Sequence, residues 1–412
     1  MSAMIKFNYI SQLLKPMINE LNSILISALI ALFCTCWIHP YILKVAKMKN
    51  IVDNPDARKL QRVPVPVMGG LTVIFGVLTG VMGFNLFGNF YDIFPVFAAI
   101  IIILIIGLMD DMISLSPRVR FLVEIALVLY LVYTTGNQID NFHGLWGIYS
   151  ISDYVSVPLT VFACVGIINA INLIDGVDGY SSGYSIVSCV LFGVMFYLLG
   201  NVKMLALAVI VATSLLPFFA HNVFGKHSKM FIGDAGTLSL GIIFSVFVTT
   251  ILSENTVNVS LDSNLGLVPF TLAVLCIPVF DTLRVMSVRI VRGHSPFSPD
   301  KTHLHHLFIE LGYSHIGTSL TIIVINLFVV GCWFLAYKLG LSIDIQLYIV
   351  VVLGILVTFV MYPFVRRQIK HETVLYRLLN RIGRATHIER KGFWLLVQRL
   401  ADKSIKEELR EL

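Results

Sequence analysis

One stretch organises the chain: Asn169-Ala-Ile-Asn-Leu-Ile-Asp-Gly-Val-Asp-Gly-Tyr-Ser-Ser-Gly183. It begins inside an apolar run and sets two amides and two carboxylates three residues apart, at Asn169, Asn172, Asp175 and Asp178. Steps of three keep side chains on one side of a helix. Carboxylates beside lipid cost free energy unless a metal or a cationic partner offsets them. The pattern therefore favours a ligand or metal site over the alternative, a solvated turn between two membrane helices.

The composition is typical of a membrane protein. Of the 412 residues, 57% are hydrophobic and 13% are charged, whereas soluble domains carry about 25% charged residues. We therefore expect an all-α, polytopic membrane domain over residues 1–365 and a basic, amphipathic, cytoplasmic tail over residues 366–412. The six cysteines all fall inside apolar runs, which favours buried thiols over a metal site.

The apolar runs predict eleven membrane helices, since each run is long enough to cross a hydrocarbon core about 30 Å thick. An odd number of spans places the two termini on opposite faces of the membrane. Of the 30 Lys and Arg residues, 26 fall in one set of loops and the tail, whereas the opposite loops 136–156 and 253–264 contain none. Because positive loops stay in the cytoplasm, we expect the N-terminus outside and the C-terminus inside. The predicted spans are 21–44, 69–88, 93–109, 119–135, 157–173, 181–199, 203–220, 236–252, 265–288, 316–338 and 342–365.

Two further acidic motifs fall on the predicted cytoplasmic face. Asp110 and Asp111 close the third predicted span and are followed by Arg118 and Arg120. Adjacent carboxylates raise each other's proton affinity unless a cation lies between them, although a solvated helix end also explains such a pair. Asp234 lies in a Gly-Asp-Ala-Gly sequence just before the eighth span. There it either caps the helix or holds Mg²⁺ through oxygen.

Two basic segments share that face. The run His303-Leu-His-His306 follows a loop rich in arginine that includes Arg284. No Cys is near and the spacing is not i, i+4, so phosphate binding is at least as well supported as a transition-metal site, with a solvated loop as the third interpretation. The other segment carries Lys59 and leads to Gly69 and Gly70 at a helix start, where backbone N–H groups favour a phosphate.

Together these motifs predict an inner-face pocket with carboxylates for Mg²⁺, basic groups for phosphates and access to lipid, a combination that suits phosphoryl transfer. Charged side chains are nearly absent from the middle of the predicted spans, which argues against an ion-coupled transporter. In the tail, Phe393, Leu396, Val397 and Leu400 recur at helical spacing among basic residues. That pattern predicts a helix on the anionic inner leaflet rather than a segment that binds nucleic acid.

Five ordered motifs carry a resemblance to a known family: DNPDARK…PVPVMGG, DDMISLSPRVR, NAINLIDGVDG, GDAG and HLHH. From about residue 40 to residue 310 the chain is similar to the polyprenyl-phosphate N-acetylhexosamine-1-phosphate transferases, most closely their bacterial WecA-like branch. The resemblance implies that undecaprenyl phosphate attacks the sugar-bearing phosphorus of a UDP-N-acetylhexosamine, most simply UDP-GlcNAc, and that UMP leaves. It also implies a protein of the bacterial inner membrane that initiates an envelope polysaccharide such as lipopolysaccharide or O-antigen.

The resemblance also implies roles for individual residues. Asp234 matches the principal Mg²⁺ ligand, with Asn172 assisting and Mn²⁺ as a substitute. Asp110 and Asp111 are similar to the pair assigned to catalysis or to positioning the lipid phosphate. Further residues match the nucleotide site (Asp175, Asp178) and the sugar-nucleotide motif (His303, His305, His306), while charge alone adds Arg118, Arg120, Arg284 and Lys59 as phosphate contacts.

Several alternatives stay open at this level. Within the family, the other substrate is UDP-muramoyl-pentapeptide, which the HLHH motif and the LSPRVR sequence after Asp111 disfavour. From another class, the alternative is a polytopic transporter. Gln61 stands where the family often has His, and both direct displacement and a covalent aspartyl-phosphate fit the sequence. The sequence does not decide which sugar is used, which polymer follows or whether the chain forms a homodimer.

Overall fold

The computed structural model describes residues 2–53, 63–85, 93–256, 262–296, 302–387 and 391–408. These ranges are almost entirely helical, with one hairpin of two-residue strands, β1 (Val52–Asp53) and β2 (Val65–Pro66). The helices are α1 (Ser2–Met48), α2 (Gly69–Asn85), α3 (Phe94–Ile113), α4 (Pro117–Thr135), α5 (Asp153–Leu173), α6 (Tyr180–Leu198), α7 (Val202–Phe224), α8 (Gly233–Ile251), α9 (Leu267–Val274), α10 (Cys276–Val291), α11 (Leu304–Glu310), α12 (His315–Lys338), α13 (Ile343–Ile355), α14 (Tyr362–Lys370), α15 (Val374–Ala385) and α16 (Phe393–Glu408).

Within these ranges, eight helical segments are long and apolar enough to cross a membrane, and the number is nine if α9 and α10, which meet at 71°, count as one span. Within the described residues each of the eleven predicted spans overlaps a helix, but α2 is short and α4 carries Arg118, Arg120 and Glu124. The expected all-α, polytopic membrane architecture is thus confirmed. The count of eleven spans and the orientation remain predictions.

Helix α8 lies at the centre of the bundle, because every one of its residues except Asp234 is buried. A helix that is apolar all round must be surrounded by other helices. Helices α3 and α5 pack along it at very short range. A Cβ atom added at Gly107 of α3 would lie 2.4 Å from Cα of Ala235, and one added at Gly241 would lie 2.6 Å from Cα of Ile168 in α5. Asp234 is therefore held at the first turn of the most enclosed helix.

The start of α2 packs against the start of α8. The backbone N–H groups of Gly69 and Gly70 donate to the carbonyl oxygens of Phe231 (2.9 Å) and Ile232 (2.7 Å). A Cβ atom at Gly70 would lie 2.1 Å from the backbone N of Gly236, so the two backbones need glycine in order to meet. From the sequence we expected the backbone N–H groups of the paired glycines to bind a phosphate. That expectation is wrong for these two N–H groups, because both are already bonded within the protein.

The last helix folds back onto the loop that follows α7. On α16, the Asp402 carboxylate accepts hydrogen bonds from three successive backbone N–H groups, those of Lys226 (3.1 Å), His227 (2.9 Å) and Ser228 (3.0 Å). The Trp394 ring stacks on Phe224, the last residue of α7, with the ring centroids 5.3 Å apart.

On its other side, α16 leaves apolar side chains uncovered. Phe393, Leu396 and Leu400 are exposed and recur at helical spacing. The basic amphipathic tail expected over residues 366–412 remains a prediction. Contact of this face with the inner leaflet remains a prediction.

Candidate functional site

Three helix ends bring the predicted acidic residues together. Asp111, in the last turn of α3, accepts hydrogen bonds from the backbone N–H groups of Asp234 (2.9 Å) and Ala235 (3.2 Å) at the start of α8. Asn172, in the last turn of α5, donates from Nδ2 to Oδ1 of Asp234 (2.7 Å) and to the hydroxyl of Thr237 (2.9 Å). The Asp111 carboxylate thus satisfies N–H groups that the first turn of a helix leaves without an intrahelical partner. The same contact fixes Asp234 beside it.

Arg120 supplies the positive charge of this cluster. Its Nη1 atom lies 3.0 Å from Oδ2 of Asp110 and 3.5 Å from Oδ2 of Asp234. The other oxygen of Asp110 accepts the backbone N–H of Leu115 (2.7 Å), which holds the turn between α3 and α4. Arg118, in contrast, is exposed, and in the described part of the chain no contact joins it to these carboxylates. Of the two arginines predicted here, the structure brings only Arg120 to the cluster.

Two buried residues support Arg120: Asn169 of the opening motif, and Glu124, which the sequence did not place in the site. Glu124 is fully buried one turn further along α4, with Oε1 3.7 Å from Nε of Arg120. Its other oxygen accepts a hydrogen bond of 2.6 Å from Nδ2 of Asn169, which also donates to the carbonyl of Val165 (2.9 Å). The sequence does contain a signal for the pair of Arg120 and Glu124, because the glutamate follows the arginine by four residues on an otherwise apolar helix face.

The two carboxylates of the loop between α5 and α6 lie in different surroundings. Asp175 is exposed to solvent and accepts a hydrogen bond of 2.6 Å from the Ser181 hydroxyl. Asp178 lies 2.6 Å from Nζ of Lys229 and 2.9 Å from Nδ1 of His315. Burial alone would raise the pKa of Asp178, but these two neighbours hold it below its ordinary value. Asp178 is therefore ionised at neutral pH.

The histidine run is anchored by a carboxylate that the sequence analysis left outside the site. Asp281 of α10 is buried and lies between two predicted residues, with Oδ1 2.6 Å from Nη2 of Arg284 and Oδ2 3.0 Å from Nδ1 of His303. The same Oδ2 accepts the backbone N–H of Leu304 at the start of α11 (3.1 Å). Asp281 thus fixes the entry to the run. Its position 22 residues before His303 in the sequence gave no sign of this contact.

His305 joins the histidine run to the loop between α5 and α6. A Cβ atom at Gly176 would lie only 2.0 Å from its Nε2, so the ring is seated directly on the glycine. Burial first, and then the neighbouring histidines, lower the pKa of His305 well below its ordinary value, which keeps the ring neutral. The ring of His306 follows with its centroid 4.3 Å away. Lys59 and Gln61 lie outside the described residues.

The oxygen donors of the carboxylate cluster bear on whether it could hold a magnesium ion. Among the described residues, no three His, Cys, Asp or Glu side chains are grouped so that they could hold a metal by themselves. Mg²⁺, however, usually takes one or two carboxylates and completes its shell with water and substrate phosphates. Asp110 and Asp234 suit that pattern, because one oxygen of each lies within 3.5 Å of the same atom, Nη1 of Arg120, so the two carboxylates converge on one point.

Known proteins are similar to this chain over most of its length. The model of glycosyl transferase family 4 matches residues 93–252, which include the acidic cluster from Asp110 to Asp234. A protein of Bacillus subtilis (strain 168) named "Probable undecaprenyl-phosphate N-acetylglucosaminyl 1-phosphate transferase" is 32% identical over 305 residues, 74% of this chain and 82% of its own length.

Relatives from enteric bacteria agree. The undecaprenyl-phosphate alpha-N-acetylglucosaminyl 1-phosphate transferase of Escherichia coli O157:H7 is 28% identical over 295 residues, 69% of this chain and 76% of its own length. The protein of the same name from Yersinia pestis is 27% identical over 279 residues, 66% of this chain and 73% of its own length. The identity and extent of the match to the Bacillus subtilis protein, together with the family model, lead to one conclusion: this chain belongs to glycosyl transferase family 4, in its WecA-like branch.

Proposed function

We propose that this protein transfers a sugar-1-phosphate from a UDP-N-acetylhexosamine, most simply GlcNAc-1-phosphate from UDP-GlcNAc, to undecaprenyl phosphate. The products are the undecaprenyl-diphosphate-sugar and UMP, at the start of a cell-envelope polysaccharide. The names of the relatives support both the lipid acceptor and the sugar. The observation that carries the proposal is the meeting of Asp110, Asp111, Asp234 and Asn172 around Arg120 at the start of one buried helix.

The proposed reaction needs little covalent help from the protein. The second pKa of a phosphate monoester is near 6, so undecaprenyl phosphate is largely ionised at neutral pH and its oxygen is already a nucleophile. That oxygen forms a bond to the sugar-bearing phosphorus while the bond from this phosphorus to the UMP oxygen breaks. Positioning and neutralisation of charge then provide most of the rate enhancement. Asp110 and Asp111 therefore need not act as general bases.

We propose Mg²⁺, with Mn²⁺ as a substitute, as the cofactor. The residues that would hold it are Asp234 and, through its amide oxygen, Asn172, with Asp110 close by. When bound, the ion would neutralise charge on the diphosphate and orient it. In the protein itself, Asn172 orients Asp234 by a hydrogen bond, and Arg120 keeps Asp110 and Asp234 facing the same point.

The nucleotide and the sugar are proposed to lie on the side of the cluster where α11 meets the loop between α5 and α6. Asp175 and Asp178 would contact the nucleotide, and His303, His305 and His306 the sugar nucleotide. The seat of His305 on Gly176 supports a single pocket for both groups. Its neutral ring can donate a hydrogen bond to a phosphate or hydroxyl without adding charge. We further propose that the site faces the cytoplasm of a bacterial inner-membrane protein.

The direct test is a turnover assay. Purified protein is incubated with undecaprenyl phosphate, Mg²⁺ and a panel of UDP-sugars that includes UDP-muramoyl-pentapeptide, and release of UMP is measured. We expect UMP from UDP-GlcNAc, and none from Asp234→Asn or Asp111→Asn protein that keeps its melting temperature. Full turnover by either variant refutes the role proposed for that residue, and flux of solute across vesicles by the Asp234→Asn protein would favour a transporter. Exchange of labelled UMP into UDP-GlcNAc without lipid would favour a covalent route over direct displacement.

A further inference from the structure

A second cavity lies away from the carboxylate cluster, between the last turns of α10 and the helix α14. Its volume is about 810 Å³, and none of Asp110, Asp111, Asn172 and Asp234 lines it. Basic side chains reach it from both helices. They are Arg284 and Arg292 of the α10 side, and Arg366, Arg367 and Lys370 of α14.

The charge of this cavity is largely uncompensated. Its described lining holds one acidic side chain, Glu310, which is paired with Arg366 at 3.1 Å. Arg284 is held by Asp281 and lies over the ring of Tyr362, 3.8 Å from its centroid. For the other three cations, Arg292, Arg367 and Lys370, no ion pair is found in the part of the chain that the structure describes. A concave surface lined by one sign of charge concentrates ions of the opposite sign, so the cavity favours an anion.

Apart from Thr302, Tyr362 and His371, the remaining lining is apolar. Val288, Phe359, Pro363 and Ile369 form the other walls, and the exposed Phe364 continues the apolar surface of the helix outward. The cavity opens at the end of Ile343–Lys370, a segment long and apolar enough to cross a membrane. A ligand that matches both kinds of wall carries a phosphate on a hydrocarbon body. Basic pockets between the cytoplasmic ends of membrane helices bind the head groups of anionic lipids in this way.

We propose that this cavity is a binding site for an anionic phospholipid of the surrounding membrane, distinct from the site of transfer. The phosphate lies among Arg292, Arg367 and Lys370, and the acyl chains follow Phe359 and Phe364 into the bilayer. The site is joined to the histidine run by Arg284, whose partner Asp281 also holds His303. A bound head group therefore stabilises the position of His303, the first residue of that run.

The test measures lipid binding and does not depend on turnover, so failure of the proposed transferase activity would leave its result readable. Full-length protein in neutral detergent is titrated with phosphatidylglycerol, and bound lipid is counted by native mass spectrometry, with phosphatidylcholine as the uncharged comparison. Two charges removed in Arg367→Gln/Lys370→Gln should weaken phosphatidylglycerol binding roughly thirtyfold, at about five- to sixfold per charge. The matched control is Arg377→Gln/Arg381→Gln, which removes two exposed charges from α15, outside the cavity.

The outcomes separate the sources of the phosphate. Equal binding of phosphatidylglycerol and phosphatidylcholine, or an equal loss in the control variant, overturns the proposal. If inorganic phosphate displaces phosphatidylglycerol at equal concentration, the cavity is a site for a free anion and not for a lipid. Preferential binding of undecaprenyl phosphate would make it part of the acceptor site, which also overturns the distinction drawn here. Melting temperatures without lipid show whether both double variants are folded.

Discussion

The packing of α3 on α8 leads to a sharp prediction for Gly107→Ala. The added methyl carbon would lie 2.4 Å from Cα of Ala235 and 2.8 Å from the carbonyl carbon of Asp234. Carbon atoms in contact prefer about 3.5–4.0 Å, so the two helices must separate by about 1 Å. The neighbours are backbone atoms, which cannot rotate away as a side chain would. Overpacking of this kind costs about 1–3 kcal/mol of stability, against a gain of roughly 0.5–1 kcal/mol for replacing glycine in a helix.

The same movement reaches the acidic cluster. Asp111 lies on α3 and accepts from the backbone of Asp234 at 2.9 Å and of Ala235 at 3.2 Å. A separation of about 1 Å stretches both bonds beyond hydrogen-bonding range. Because misplacement by about 1 Å costs on the order of 100-fold in rate, we expect UMP release to fall about 100-fold.

The assay is UMP release with undecaprenyl phosphate and UDP-GlcNAc, together with a thermal melt of each protein. Two controls carry the same substitution where an added Cβ meets nothing within 4 Å: Gly166→Ala on α5 and Gly331→Ala on α12. Both controls should keep the wild-type rate and melt at or slightly above the wild-type temperature, because alanine favours the helix over glycine. A wild-type rate for Gly107→Ala, or an equal loss in Gly166→Ala, would refute the reasoning that backbone contact with α8 positions Asp234.

Three further predictions concern other contacts. Glu124→Ala removes the acceptor of the buried Asn169 amide and should destabilise the fold by about 1–3 kcal/mol, whereas Glu124→Gln keeps an acceptor and should lose much less, as thermal melts would show. Gly176→Ala places a Cβ 2.0 Å from Nε2 of His305; because only a side chain must move, we expect a raised KM for UDP-GlcNAc with little change in melting temperature, and an unchanged KM would contradict the shared pocket. For Asp402, burial alone would raise the pKa, but hydrogen bonds from backbone N–H groups hold the pKa of Asp402 below its ordinary value. Docking of α16 should therefore persist above about pH 4 and be lost as the pH falls through the lowered pKa. Trp394 fluorescence in a variant without the other tryptophans would detect this loss. In the Asp402→Asn variant, α16 should undock at neutral pH as well.

The sequence predicted the helices well but not their ends. The third span was predicted to stop at residue 109, where apolar residues give way to Asp110, yet α3 continues to Ile113. Hydropathy marks the edge of the apolar surface, whereas a helix ends where the backbone leaves helical angles. Here that happens at Ser114, whose φ of 53° is left-handed. The two aspartates therefore lie within the last helical turn, and not in the loop after it.

The candidate site divides in a similar way. The regular spacing of Asn172, Asp175 and Asp178 was visible in the sequence because the pattern that they form with Asn169 is local. The partners of these groups come from distant segments: Asp111 meets the backbone of Asp234 across 123 residues, and Lys229 meets Asp178 across 51. Such contacts depend on how helices pack, which no local pattern specifies.

The contact between α16 and the loop after α7 affects where a tag can be attached to this protein. Asp402 fixes the backbone from Lys226 to Ser228, and the next residue, Lys229, is the partner of Asp178. A fluorescent fusion or affinity tag joined to the chain close to α16 would act directly on this contact, whereas one joined before α1 would leave the contact intact. Loss of activity in a C-terminally tagged or proteolysed preparation would then report a displaced lysine rather than an unfolded protein.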